Sequence, residues 1–323
     1  MKKLTITLIE LSAILSDGLY HDGDSLGKEL NITRSAVWKA VKKLEEYGID
    51  IHAIKGKGYV MSEPLFLLNE TLIQKEINNK NITVDVFGKI DSTNTYLKNF
   101  IGTNVSMVCI AEHQAQARGR FNRNWYSPFG KNIHLSLLFP FYKDISELAG
   151  LSIVVGLAIT RSLQYLNLHK EPMLKWPNDV IYDNQKLAGT LIETTSEANG
   201  LTHAIIGIGL NVNMIKDLHN INQPWISLRQ ILHQYVDRNK LCTLLINNLL
   251  NSLKEFQNKG LVSFLSEWNT KDSLYNKEVT LTIGNQSVVG IARGINALGN
   301  LALEVERGHL KYFSSGDASI AKD

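Results

Sequence analysis

The stretch Gln114-Ala-Gln-Ala-Arg-Gly-Arg-Phe-Asn-Arg-Asn-Trp125 carries three arginines, at 118, 120 and 123, flexed by Gly119 and closed by an aromatic ring. Guanidinium groups fork onto the paired oxygens of a carboxylate or phosphate, so a mobile loop of this make-up suits an anionic ligand over which it folds. A solvated basic surface loop has the same composition. Lys175-Trp-Pro-Asn-Asp179 followed by Lys186-Leu-Ala-Gly189 reads as a hairpin around Asp183-Asn184. It holds Lys186 either as a fixed point charge for an anion or as a satisfied lysine at a strand edge. Gly207-Ile-Gly-Leu-Asn211 lets a backbone approach a ligand and offers the amide of Asn211, although two glycines also occur in ordinary turns. Asp91-Ser-Thr-Asn94 stands before a helix, where Ser92 or Thr93 serves as an N-cap or as a ligand contact.

These residues need elements to hold them, and the apolar spacing supplies a reading. Strands are expected over Val84–Phe87, Ser106–Ala111, Ile133–Phe139, Val180–Tyr182, Lys186–Ile192 and Thr202–Leu210, with helices over Asn94–Phe100, Ile145–Leu166 and Leu241–Lys259. That is an α+β unit around one mixed sheet, taken here as residues 64–270 with Pro64 marking its start. Residues 271–323 turn to short strands separated by Gly and Asn (Val279–Ile283, Ser287–Ile295, Leu301–Val305, His309–Phe313), the pattern of a small β-barrel. Residues 1–63 begin with apolar positions Leu4, Leu8, Leu11, Ile14 and Leu15 at helical steps, then a short helix at Ser25–Leu30 and a third from the cap Thr33 to Tyr47. Two strands around Lys55-Gly-Lys-Gly58 complete a winged helix-turn-helix.

Composition excludes several classes. With 323 residues, 44% hydrophobic and 20% charged, the chain is neither disordered nor a small stapled scaffold. The apolar run Leu151–Thr160 is about half of a bilayer span, and no secretory signal is read at the start, so no membrane partner and a cytoplasmic location are expected. Cys109 and Cys242 stand far apart with no metal-binding spacing, as buried fillers in a reducing compartment. A net charge of +3 permits a nucleic-acid partner without requiring one.

The order Asp91-Ser-Thr-Asn94, the Arg-Gly-Arg loop ending in Trp125, Lys175-Trp-Pro-Asn-Asp179, Lys186-Leu-Ala-Gly189 and Gly207-x-Gly-x-Asn211 resembles the biotin–protein ligases. The winged helix in front and the small SH3-like barrel behind resemble the bifunctional bacterial form, both ligase and biotin-operon repressor. The resemblance implies that biotin and ATP are joined to biotinyl-5′-AMP and that the acyl group then passes to a lysine of the biotin carrier protein of acetyl-CoA carboxylase. It places Ser92, Thr93, Asn94 and Gln114 at biotin, and Arg118, Gly119 and Arg120 over its carboxylate and the adenylate. Lys186 falls at the carboxylate–phosphate junction. Arg118, Arg120, Arg123, Trp125, Asn178, Asp179, Lys186 and Asn211 fall to the nucleotide, and Lys186, Arg118 and Arg120 are the catalytic set. Mg²⁺ is implied through the ATP phosphates, with Asp179 as its candidate carboxylate. Where the family loop reads Gly-Arg-Gly-Arg-x-Gly, this chain has Ala117 and Asn122 at the outer positions. Asn tolerates a left-handed backbone, whereas Ala117 would be penalised if its position required one.

For the winged helix, Thr33, Arg34, Ser35, Trp38, Lys39, Lys42 and Lys43 on the second helix of the motif, with Lys55 and Lys57 in the wing, are the candidate DNA contacts. Residues 1–60 hold nine Lys/Arg against eight Asp/Glu, so charge alone gives little affinity. The family implies operator DNA upstream of biotin biosynthesis genes and a homodimer formed with the adenylate. A ligase whose winged helix no longer regulates and a ligand-sensing transcription factor without catalysis are the competing readings, with a lipoate ligase as a further rival. The phosphate-neutralising set of Lys186 and the arginine loop argues against a pure sensor.

Overall fold

The computed structural model describes residues 2–197, 200–215 and 221–320. A short strand β1 (Lys2–Lys3) leads into α1 (Ile6–Ile14), α2 (Gly23–Glu29) and α3 (Arg34–Glu46). Each helix is started by a side chain that accepts an orphan N–H of the first turn: Thr5 from Leu8, Asp22 from Asp24 and Ser25, Thr33 from Ala36. The Asp22 cap starts α2 two residues before the Ser25 expected from sequence. The wing is the hairpin of β2 (Ile51–Ile54) and β3 (Gly58–Met61). Leu11, Leu15, Leu26, Val37 and Leu44 close the core of this unit, and Leu65, Leu67 and Phe129 extend it toward the rest of the chain.

The central unit contains α4 (Glu70–Glu76), β4 (Thr83–Lys89), α5 (Thr93–Leu97), β5 (Met107–Ala111), β6 (Ile133–Phe141) and α6 (Leu151–Leu163). It continues through β7 (Met173–Lys175), β8 (Asp179–Tyr182), β9 (Gln185–Ser196), β10 (Thr202–Leu210), α7 (Leu228–Leu232), α8 (Arg238–Lys259) and α9 (Leu265–Lys271). One mixed sheet runs β1-β4-β5-β6-β10-β9-β8-β7, with β4 and β5 parallel and the other pairs antiparallel. Successive side chains on a strand point to opposite faces. Ile133, Leu135, Leu137 and Phe139 of β6 and Ala204, Ile206, Ile208 and Leu210 of β10 therefore join the large core with α6 and α8. His134, Ser136, Gly207 and Gly209 alternate with them and belong to the other face of the sheet, where α5 packs.

The expected helix Ile145–Leu166 is long and apolar enough to cross a bilayer by length and composition. It is broken at Ala149-Gly150 into a 3-10 turn and α6, and eleven of the thirteen residues of α6 are buried within the protein. The tail forms β11 (Glu278–Ile283), β12 (Gln286–Ile295), β13 (Leu301–Glu304), β14 (Leu310–Phe313) and β15 (Asp317–Ile320), a five-stranded antiparallel sheet in the order β14-β13-β12-β11-β15. Val279, Leu281, Leu301 and Leu303 merge with the central core, and Trp176 Nε1 donates to the Gly299 carbonyl at 2.9 Å.

The segment joining the winged helix to the ligand-bearing sheet is pinned by a buried ion pair. Arg238, at the start of α8, donates to both Glu112 oxygens (2.5 and 3.3 Å) and to the carbonyls of Phe66 and Asn132, while Glu112 accepts from the Leu68 N–H.

Candidate active site

At the N-terminus of α5, Ser92 caps the helix by accepting from the Thr95 N–H. Gln114 Oε1 accepts from both the N–H (2.8 Å) and the hydroxyl (3.0 Å) of Thr93. Ser136 Oγ lies 2.6 Å from Thr93 Oγ1 and from Asn94 Oδ1, and Asn94 Nδ2 donates to Glu193 Oε2 at 2.8 Å. Four expected residues thus converge with two the sequence did not single out. Ser136 was hidden in an apolar strand, although its period-2 alternation with His134 could have marked a polar face. The glycines of β10 now have a reason. A Cβ on Gly207 would stand 2.4 Å from Asn94 Oδ1, and one on Gly209 would stand 2.4 Å from the Trp125 ring. Only glycine lets these groups lie on the sheet.

The arginine loop is a hairpin rooted on that floor. Ala115 and Gln116 donate to the carbonyls of Ile90 and Asp91, Gly119 N–H to Arg123 O, and Trp125 N–H to Ala117 O. The tip holds Phe121 and Asn122 at φ 54° and 56°, so Asn122 occupies a left-handed position that asparagine tolerates, while Ala117 is not in that region. At the root, Gln114 N–H donates to Ser127 Oγ (2.8 Å), which lies 2.9 Å from His134 Nε2. Complete burial lowers the His134 pKa to about 3, leaving a neutral ring under the loop at neutral pH.

Each loop arginine meets a partner from another part of the chain. Arg118 donates to Glu193 Oε1 at 3.4 Å. Arg120 donates to Asn178 Oδ1 (3.3 Å) and the Gly316 carbonyl (3.2 Å), and burial lowers its pKa more than the nearby Asp317 and Asp179 raise it. Arg123 pairs with Asp317. The Asp317 contact comes from the small C-terminal sheet and had no local sequence signal.

Lys186 is held by the β8–β9 hairpin with Nζ 2.9 Å from Asp179 Oδ1 and 5.5 Å above the Trp125 ring. Asn178 Nδ2 donates to the Thr190 carbonyl at 2.7 Å. The Asn211 amide donates to the carbonyls of Lys186 and Ile226, both at 3.2 Å, and so fixes the backbone behind Lys186. Trp125 Nε1, by contrast, is buried with no hydrogen-bond partner among the described residues. A pocket of about 390 Å³ lies between the α5 N-terminus, the loop, Lys186 and β15. Across the loop a wider cleft of about 1500 Å³ runs past Trp125, Asn211 and Trp225 to the end of α3. Its wall includes Phe129, which stacks on Tyr47 at 4.2 Å. Among the described residues no cluster of three His, Cys, Asp or Glu could cage a metal ion. Cys109 and Cys242 are buried and burial raises both thiol pKa values, so neither is a nucleophile.

In the winged helix, Arg34, Ser35, Trp38, Lys39 and Lys42 lie exposed on α3, with Lys55 and Lys57 on the wing. Thr33 is exposed too, but its hydroxyl caps the helix. Lys43 turns to Glu46 and the Tyr47 ring rather than outward.

The chain matches three family models: an HTH domain over residues 9–60, the biotin/lipoate A/B protein ligase family over 86–211, and the biotin protein ligase C-terminal domain over 275–320. It is 37% identical to the bifunctional ligase/repressor BirA of Escherichia coli, with 99% of this chain and 98% of that protein aligned. The chain belongs to the biotin–protein ligases. Within that family it is also similar to the bifunctional ligase/repressor of Bacillus subtilis, at 26% identity over 91% of this chain and 92% of the other. A solved biotin protein ligase from Aquifex aeolicus, in complex with biotin and ATP, is 28% identical and superposes with a TM-score of 0.63. It covers 74% of this chain and 99% of its own. In this ligase the matched family region, residues 86–211, runs from β4 through the arginine loop and Lys186 to the end of the glycine floor.

Proposed function

We propose that this ligase condenses biotin with ATP to biotinyl-5′-AMP and pyrophosphate. It then transfers the biotinyl group to a lysine of the biotin carrier protein of acetyl-CoA carboxylase, in the cytoplasm. The observation that carries this reading is one pocket lined both by the amides and hydroxyls of Ser92, Thr93, Asn94 and Gln114 and by the cations Lys186, Arg118 and Arg120. Its volume of about 390 Å³ lies within the range of small-molecule sites. Ser92, Thr93, Asn94 and Gln114 form a set of donors and acceptors suited to a ureido ring. The carboxylate end then points to the cations.

Attack of a carboxylate oxygen on the α-phosphorus brings two anions together, and the chain's task is to hold them in line and offset their repulsion. Lys186 supplies a compact charge at the junction, and Arg118 and Arg120 approach from the loop with forked donors. Pyrophosphate leaves. Trp125 offers a ring face and an unpartnered N–H to the nucleotide, while Asn211 acts on it indirectly, through the Lys186 backbone. Arg123, Asn178 and Asp179 lie at the phosphate end. With the loop closed, water is kept from the mixed anhydride until the carrier lysine attacks its acyl carbon and AMP departs.

Mg²⁺ commonly binds through phosphate oxygens, waters and one or two carboxylates. Asp179 beside Lys186, with no three-residue cage among the described residues, fits an ion carried in by ATP, which would neutralise phosphate charge.

The winged helix adds a second role, biotin-responsive repression, by a homodimer formed with the adenylate and bound to a two-fold operator upstream of biotin genes. Arg34, Ser35 and Trp38 are the side chains for base edges, and Lys39, Lys42, Lys55 and Lys57 those for phosphates. Thr33 contributes by capping α3 and Lys43 by buttressing it. Biotin-dependent ATP–pyrophosphate exchange, then transfer to an apo carrier domain, tests the enzyme. Exchange with lipoate equal to that with biotin, or none with biotin, would overturn it. Footprinting of a palindromic site, lost on deleting residues 1–63, tests the repressor.

A further inference from the structure

Glu193 belongs to no expected set, yet it touches three groups, two of which, Asn94 and Arg118, line the pocket. Its Oε2 accepts from Asn94 Nδ2 at 2.8 Å, and its Oε1 accepts from Lys98 at 2.7 Å and from Arg118 at 3.4 Å. It stands on β9 opposite Ile205 of β10, past the point where β8 pairing ends at Gly189, so the strand is free to present it at the rim. Burial by itself would raise the carboxyl pKa, but the Lys98 and Asn94 hydrogen bonds outweigh it and keep the group ionised.

We propose that Glu193 is a positioning residue that latches the arginine loop through Arg118 while fixing the orientation of the Asn94 amide. The two oxygens act on two groups that line the pocket, Asn94 and Arg118. With Asn94 Oδ1 beside Ser136 and Nδ2 on Glu193, the amide cannot flip, so its remaining acceptor capacity always faces the same way. Lys98 is the counter-ion that leaves Arg118 its attraction for a ligand anion. One carboxylate shared by two cations leaves the trio with a charge of about +1, which follows from ordinary ionisation at neutral pH. The Arg118 contact is long and half-exposed, which suits a latch that must open for substrate and close again. The inference rests on the ligase reading for its catalytic consequence, but the latch itself exists without ligand.

Trypsin reads the latch directly, because Arg118, Arg120 and Arg123 are its cleavage points and lie in the loop. In the ligand-free full chain, Glu193→Gln is expected to speed cleavage at these arginines about two- to five-fold, equivalent to about 0.4–1 kcal/mol, with Tm unchanged. Cleavage at the wild-type rate would overturn the latch. Lys98→Met leaves Arg118 as the sole cation on Glu193 and is expected to slow cleavage. It keeps the test open if the Gln variant fails to fold, and unchanged or faster cleavage in it counts against the proposal. In ATP–pyrophosphate exchange, Glu193→Gln should raise KM for biotin several-fold more than it lowers kcat, and equal changes in both would overturn its positioning role. A wild-type protein without exchange would refute the ligase reading and leave the cleavage result standing.

Discussion

The loop between β5 and β6 and the exposed face of α3 are both rich in cations, and in both most of the cations already have carboxylate neighbours. On α3, Lys42 and Lys43 pair with Glu45 and Glu46 one turn along, and Arg34 pairs with Asp24 of α2. In the loop, Arg118 meets Glu193 and Arg123 meets Asp317, carboxylates that lie 75 and 194 positions away in sequence. The helix pairs are local and exposed, each worth a few tenths of a kcal/mol and screened by salt. The loop pairs close a covered pocket, where the half-buried Arg120 has lost part of its solvation and gains more from an arriving anion. Clustered cations in the two regions therefore suit unlike ends, tight local binding of an anion in the loop and salt-dependent association on the helix.

Substitutions separate the two regions. Lys186→Ala should lower exchange by about 10²–10³ in kcat, the loss typical of removing one preorganised group that stabilises transition-state charge, with no change in DNA affinity at a fixed dimer concentration. A decrease below tenfold would place Lys186 among merely structural residues. Next in size, Gly209→Ala pushes a methyl group to within 2.4 Å of the Trp125 ring and must displace it. Nucleotide affinity is expected to fall about tenfold, measured as KM for ATP, while KM for biotin changes little. A parallel rise in both would mean that the floor supports the whole pocket and not its nucleotide end alone. Smallest is Lys39→Ala on α3. It should weaken DNA binding across all sequences and reduce the slope of log K against log salt by about 1, without effect on exchange. A change at one base position only would instead make Lys39 a base reader.

Local signals made much of this legible. Thr33 and Tyr47 bracketed α3, as its N-cap and C-cap, because caps act within one turn. Ser92 was read as a cap or a ligand contact, and its position allows both. The β10 glycines were weak as a motif and became informative only when Asn94 and Trp125 were found lying on them. Strand β7, helix α4 and strand β15 escaped because short elements are specified by their partners across the fold more than by their own periodicity. Glu193, Ser136 and Asp317 escaped for the same reason: their roles arise from sheet register and from contact with a distant domain. Asn211 shows the converse. Its place was found from the motif, but its amide is engaged with main-chain carbonyls, which no spacing argument could have revealed.

The Glu112–Arg238 pair has a geometric consequence for reading DNA. Removing either partner of such a buried pair costs about 3–5 kcal/mol, so the segment it grips at Phe66 and Leu68 is not free to swing. With Tyr47 stacked on Phe129 as a second point of attachment, α3 is carried at a set angle to the central sheet. Two such bodies joined about a two-fold axis would act as a ruler, fixing the distance between operator half-sites by the width of the protein and not by the slack of a tether.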